Sequence, residues 1–123
     1  MAYKTLIFGV DDMFGQLKPF YDQQIQRGTL EIVAYAVIEQ SGIRLVTPDG
    51  KRGGVEQLRD VQLTIISSAH DFYRRMKFLE SQGFPRNRII DGQVFKVPNL
   101  DFPRLVAEGV AYGVLEGKSI SWN

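Results

Sequence analysis

Thr5-Leu6-Ile7-Phe8-Gly9-Val10, followed at once by Asp11-Asp12, is the stretch on which the reading of this chain turns. A short apolar run without polar alternation fits a strand buried on both faces of a sheet. The acidic pair suits a helix start, because an Asp side chain accepts hydrogen bonds from the first unpaired backbone N–H groups. Phe14, Leu17, Tyr21 and Ile25 then recur at helical spacing, and Gly28 is placed to stop the helix. Pro19 disturbs this pattern, since it lacks the N–H that would bond the Gly15 carbonyl and its ring crowds that carbonyl. The segment is therefore either kinked near Pro19 or a short turn followed by a helix with Pro19 at its first position. The second is the preferred reading.

The alternation continues outward. Leu30 to Ile38 reads as a second strand broken by Ser41-Gly42, and Ile43 to Val46 as a short strand near an edge. Thr47-Pro48-Asp49-Gly50 is a turn, extended by Lys51-Arg52-Gly53-Gly54, with Leu58 in a short helical turn. Val61 to Ser67 is a third main strand. A helix then opens after Ser68, with Asp71 three positions on as its capping partner. Phe72, Met76 and Leu79 mark the helix's buried face, and Gly83 with Pro85 its end. Ile89-Ile90 is a fourth core strand that Val94-Phe95 extends. A last helix is capped by Asp101, carries Pro103 in its first turn and stops at Gly109; Val110 to Leu115 is apolar. Strands alternating with helices predict an α/β fold: a three-layer Rossmann-like domain with a mostly parallel central sheet of four to five strands, spanning residues 1–123 as one domain.

Composition narrows the function. The chain has 123 residues, 44% of them hydrophobic and 24% charged, within the globular range. Fifteen basic and 14 acidic residues leave a net charge of +1, which gives no general electrostatic grip on nucleic acid or on an anionic membrane. With no cysteine and a single histidine, thiol nucleophiles, iron–sulfur clusters, thiolate zinc and histidine-rich metal sites are excluded. The apolar run near the N-terminus is too short for a signal peptide or a membrane span, so a cytoplasmic protein is expected.

In open α/β sheets, ligands sit beyond the carboxyl ends of the strands, where strand order reverses. That rule gathers Gly9 to Gly15, Glu39 to Gly42 and Ser67 to Asp71 at one edge. Gly9 and Gly15 bracket a loop that only loosely matches a dinucleotide fingerprint, because Asp11 and Asp12 stand inside it. Glu39 is placed to bind ribose hydroxyls. Ser67 and Ser68 offer hydroxyls beside a helix N-terminus. Each has a plainer structural explanation, as a turn, a strand end or a cap. His70 is the sole imidazole and the only candidate acid–base group, and no complete catalytic constellation is visible. Arg74, Arg75, Lys77, Arg86 and Arg88 read as the solvated face of a helix and loop rather than a nucleic-acid surface.

Several segments together resemble a Rossmann-like domain of bacterial surface-polysaccharide enzymes. They are Lys4-Thr5-Leu6-Ile7-Phe8-Gly9, Leu30-Glu31-Ile32-Val33-Ala34-Tyr35, Ile65-Ile66-Ser67-Ser68, the stretch from Gly83 to Gly92, and the stretch from Pro98 to Leu105. In that family such domains are similar to the front part of sugar O-acetyltransferases, glycosyltransferases and nucleotide-sugar-modifying enzymes. The resemblance implies a nucleotide-sugar or dinucleotide-binding accessory module, with a nucleotide sugar or NAD(P) as ligand and a catalytic partner domain or chain. Carried over, it implicates Gly9, Gly15, Glu39, Ser67 and Ser68. The sequence departs from that family in two places. Asp11 or Asp12 replaces the loop glycine, and the acid that usually ends strand two corresponds best to Val37. A degenerate, purely structural module is therefore also consistent with the resemblance.

Two other classes compete. Val10-Asp11-Asp12 also resembles the acidic pair of a response-regulator receiver domain, which would need Mg²⁺ at Asp11, Asp12 and Asp49. The interval from Asp49 to Ser67 is short for that family. The third is a ligand-free interaction module that forms a homodimer through the apolar C-terminal segment.

Overall fold

The structure is a computed structural model that describes residues 2–9, 12–39, 42–67, 72–96 and 101–108. Five strands, β1 (Tyr3–Phe8), β2 (Leu30–Glu39), β3 (Gly42–Val46), β4 (Leu63–Ile66) and β5 (Ile89–Asp91), form one sheet in the order β3-β2-β1-β4-β5. β1, β2, β4 and β5 run parallel, and β3 is an antiparallel edge strand. Three α-helices are found among the described residues: α1 (Asp12–Gln26), α2 (Phe72–Ser81) and α3 (Phe102–Glu108). No helix among the described residues is long and apolar enough to cross a membrane.

The chain leaves β1 through α1 toward β2 on one side, and leaves β4 through α2 toward β5 on the other. Crossovers of one hand wound in opposite directions put their helices on opposite faces of the sheet. The core divides accordingly. Ile7, Leu63, Ile65 and Ile90 pack on one face with Leu17 and Tyr21 of α1 and with Phe102 and Val106 of α3. Leu6, Phe8, Ile66 and Ile89 pack on the other with Met76 and Leu79 of α2. Adjacent residues of β1 thus serve opposite layers, which is why the run is apolar throughout.

The β1–β2 register slips between Thr5 and Leu6, whose partners are Ile32 and Ala34. Val33 is the extra residue. This bulge inverts the facing of the residues after it: Ile32 packs toward α1, whereas Ala34 and Ala36 face α2.

Three elements differ from expectation. Pro19 neither starts nor ends a helix; α1 runs through it without a break. Gly15 and Pro19 are both exposed, so water can serve the Gly15 carbonyl while Leu17 and Tyr21, both buried, hold the helix to the sheet. The buried stripe of α1 ends on Gln24, 3% exposed, rather than Ile25, 41% exposed. Thr29 explains this, since its hydroxyl donates to Gln24 Oε1 at 2.6 Å and ties the helix end to the start of β2. Val94-Phe95 does not prolong β5 but lies in a 3₁₀ turn, Gly92–Lys96, opened by a hydrogen bond from the Gln93 N–H to Asp91 Oδ1.

Other ends match. Gly28 and Gly83 close α1 and α2 with positive φ and paired hydrogen bonds back into the last turn. Asp101 caps α3 by accepting from the Arg104 N–H. The apolar segment Val110 to Leu115 lies outside the described residues.

Candidate functional site

Strand order reverses between β1 and β4, and the backbone fastens their carboxyl ends together. The Ser67 N–H donates to the Phe8 carbonyl at 2.9 Å, and the Gly9 N–H to the Ala36 carbonyl of β2 at 2.8 Å. α1 begins four residues after the last residue of β1, and α2 six after that of β4. The amino ends of two helices therefore lie on this side of the sheet, where the helix dipoles favour an anion.

Gly9 has φ +98°, a conformation costly for any other residue. A Cβ here would lie 3.1 Å from Arg75 Nη1 and 3.4 Å from the Ser67 carbonyl oxygen. Arg75, in the first turn of α2, thus lays its guanidinium against the end of β1. Its Nη1 is buried and has no hydrogen-bond partner among the described residues. An unpaired buried donor costs about 1–3 kcal/mol, more when charged, so an acceptor reaching this nitrogen would be favourable.

The residues singled out in the sequence separate by position. Gly9 is at the rim and is needed there. Ser67 is fully buried, and its hydroxyl accepts from Tyr21 Oη at 3.1 Å, so its side chain belongs to the α1 core; only its carbonyl reaches the rim. Gly15 lies within α1, exposed, with nothing within 4 Å of where a Cβ would stand. Asp12 is the first residue of α1, and Glu39 ends β2. β2 outruns β1 by Val37, Ile38 and Glu39, which places Glu39 about 10 Å past the level of Ala36. Asp11, Ser68 and His70 lie outside the described residues.

Asp49 occupies the exposed turn after β3. Because β3 runs antiparallel, this turn points toward the amino end of β2, away from the rim where Asp12 begins α1. Its carboxyl accepts from the Thr47 hydroxyl, which chiefly holds its pKa below the ordinary value, and Lys51 stands 3.8 Å away. The structure does not bring Asp49 to the rim.

The basic cluster also divides. Arg86 forms a two-pronged ion pair with Glu80, both contacts 3.0 Å, and this lowers the Glu80 pKa. Lys77 lies 5.2 Å over the Tyr73 ring. Arg75 is half-buried and lays its Nη1 against Gly9. Its position was legible: it stands three residues after Phe72 and four before Leu79, on the apolar stripe of α2 rather than on its solvated side.

A second feature had no sequence signal. Between α2 and β3 lies a groove of about 510 Å³, floored by Leu6, Phe8 and Ala36 and walled by Leu45, Phe78 and Phe84. No family model matches the chain, and no curated protein matches it significantly.

Proposed function

We propose that this chain is a nucleotide-binding module that seats a ligand phosphate at the rim between β1 and β4. It serves a catalytic partner domain in nucleotide-sugar or dinucleotide chemistry. The observation that carries this reading is the buried Arg75 Nη1 at the reversal of strand order, unpartnered among the described residues and packed against a glycine of positive φ. A phosphate oxygen is a strong acceptor for that donor, and the amino ends of α1 and α2 add favourable dipoles. The resemblance to polysaccharide-enzyme domains supports the ligand class and the accessory role. Among the described residues no serine, acid and base converge on a reacting point, and Ser67 is occupied by Tyr21.

The test is calorimetric titration with a uridine-diphosphate sugar and with NAD⁺ and NADPH, on the wild type and on Arg75→Met. One of these ligands binds the wild type. Its affinity falls about tenfold or more in the variant, since a hydrogen bond to a charged group is worth about 1.5–3 kcal/mol. The variant's melting temperature holds or rises, because an apolar side chain replaces an unsatisfied cation. No binding by any of the three, or equal binding by both proteins, defeats the reading. A thermal shift seen only with Mg²⁺ plus a phosphoryl mimic, and lost in Asp49→Asn, favours the receiver class instead.

A further inference from the structure

On the α2 face, the chain returns from β3 to β4 through residues 47–62, which contain one 3₁₀ turn, Val55–Leu58, and no α-helix. α2 covers β1, β4 and β5, so the sheet toward β2 and β3 lies open beside it. The bulge at Val33 deepens this opening, because it turns Ala34 and Ala36 toward α2 where larger side chains would fill the space. The resulting groove of about 510 Å³ adjoins a second cavity of about 300 Å³. The two share Phe8, Ile43 and Phe78, and the second ends on Arg74 and Arg75 at the rim. Such volumes are in the range of small-molecule sites. Ile43 and Phe78, at the lips, are 43% and 41% exposed, an apolar surface the fold leaves uncovered among the described residues.

An apolar channel with a half-buried arginine at one end has a matching ligand. We infer that the groove binds an amphipathic acid: an apolar chain lying between α2 and β3, with a terminal carboxylate or phosphate on Arg75. Two independent observations meet in this assignment, the uncovered apolar volume and the unpartnered Nη1 of Arg75. Arg59 also lines the groove, toward its other end, but it is exposed and hydrated and gains little from an anion. Arg75 is half-buried, with its Nη1 shielded from water, and gains more. The assignment does not require the nucleotide reading; the two share Arg75, whereas Ile43 and Phe78 belong to the groove alone.

The experiment titrates the full chain with dodecyl phosphate, dodecanoate and dodecanol, each below its aggregation concentration. At least one acid binds the wild type about tenfold or more tightly than dodecanol, and the tighter acid identifies the head group. In Arg75→Met that preference disappears, while in Arg59→Gln it persists. Ile43→Asp places a carboxylate at the lip of an exposed edge strand and weakens acid binding about tenfold or more; Phe78→Asn weakens it as well, so the result does not hang on one variant's folding. A nucleotide that binds the wild type still binds Ile43→Asp, which separates the groove from the rim. Failure of any acid to bind, equal affinity for acid and alcohol, indifference to both lip variants, or loss of the preference in Arg59→Gln instead of Arg75→Met overturns the assignment.

Discussion

On the α1 face of the sheet, six aromatic rings touch in sequence: Tyr3 to Phe102, Phe102 to Phe95, Phe95 to Tyr21, Tyr21 to Phe14, and Phe14 to Tyr35, with centroids 5.1–6.3 Å apart. Two helices and a 3₁₀ turn close over them. On the α2 face a single helix covers part of the sheet, Phe78 meets Phe8 at 6.1 Å, and a groove stays open. Both faces start from the same strands, often from neighbouring residues. The difference teaches where this molecule places its stability and where it leaves room for a ligand. The second face carries Ile43 and Phe78, both exposed at the groove, and the buried Arg75 Nη1 with no partner among the described residues.

The largest effect is expected from breaking the closed face. Phe102→Ala removes a fully buried ring between Tyr3 and Phe95 and lowers unfolding free energy by about 3–5 kcal/mol. Ile43→Ser, on the open face, changes it by about 0.5 kcal/mol or less. Denaturant titration compares them, and equal losses would show that the faces contribute alike. Gly92→Ala probes how tightly the closed face is filled. The added Cβ would lie 2.7 Å from Leu17 Cδ1 and 2.8 Å from Tyr21 Oη, so a loss of about 1–3 kcal/mol is expected. An unchanged midpoint would reveal slack beneath α1.

Gly15→Ala works in the other direction. It adds a methyl in open space on a helix, and stability rises by about 0.5–1 kcal/mol with nucleotide affinity unchanged. Lost affinity would mean that the ligand backs onto α1 at Gly15, as the family resemblance implies. The smallest effect concerns pH. Burial raises the pKa of Asp91 above its unfolded value, the Gln93 N–H and Lys96 opposing it. The folded state then holds the proton more tightly, so stability falls as pH rises through the window between the two values. The penalty is complete above the folded pKa and absent below the unfolded one. Asp91→Asn keeps the acceptor for the Gln93 N–H and is expected to melt modestly higher at pH 7, with the gain fading toward pH 3. A gain that stays constant across that range would show that charge is not its cause.

Much of the architecture was legible in the residues. The unbroken apolar run of β1 announced a strand between two layers, Gly28 and Gly83 announced helix ends, and Asp101 announced a cap. The departures have local causes. Ile25 and Gln24 are adjacent on the helix, and the Thr29 hydroxyl, not hydrophobicity, decided which turned inward. Val94 and Phe95 look like strand residues, yet both are buried from a 3₁₀ turn because Gly92 passes close beneath Leu17 and Tyr21. The site was less legible. The rule of reversed strand order located the rim and Gly9. Ser67, however, turns to Tyr21, which lies 46 residues away in sequence. Arg75 was hidden in a cluster of like charges and shown only by its place on the apolar stripe.

By itself, the sequence determined the order and kind of the main elements, since helix and strand periodicities and turn chemistry act over a few residues. It also excluded thiol and disulfide chemistry outright. The tertiary structure alone decided which pairs of distant residues meet: Gly9 with Arg75, Tyr21 with Ser67, Phe8 with Phe78. It also decided that β2 carries a bulge which turns two alanines toward α2, and that no helix covers them. Those outcomes depend on strand register and on how two layers share one sheet, and a shift of a single residue reverses every facing. No local signal carries that information, and it is this register that shapes the groove beside α2.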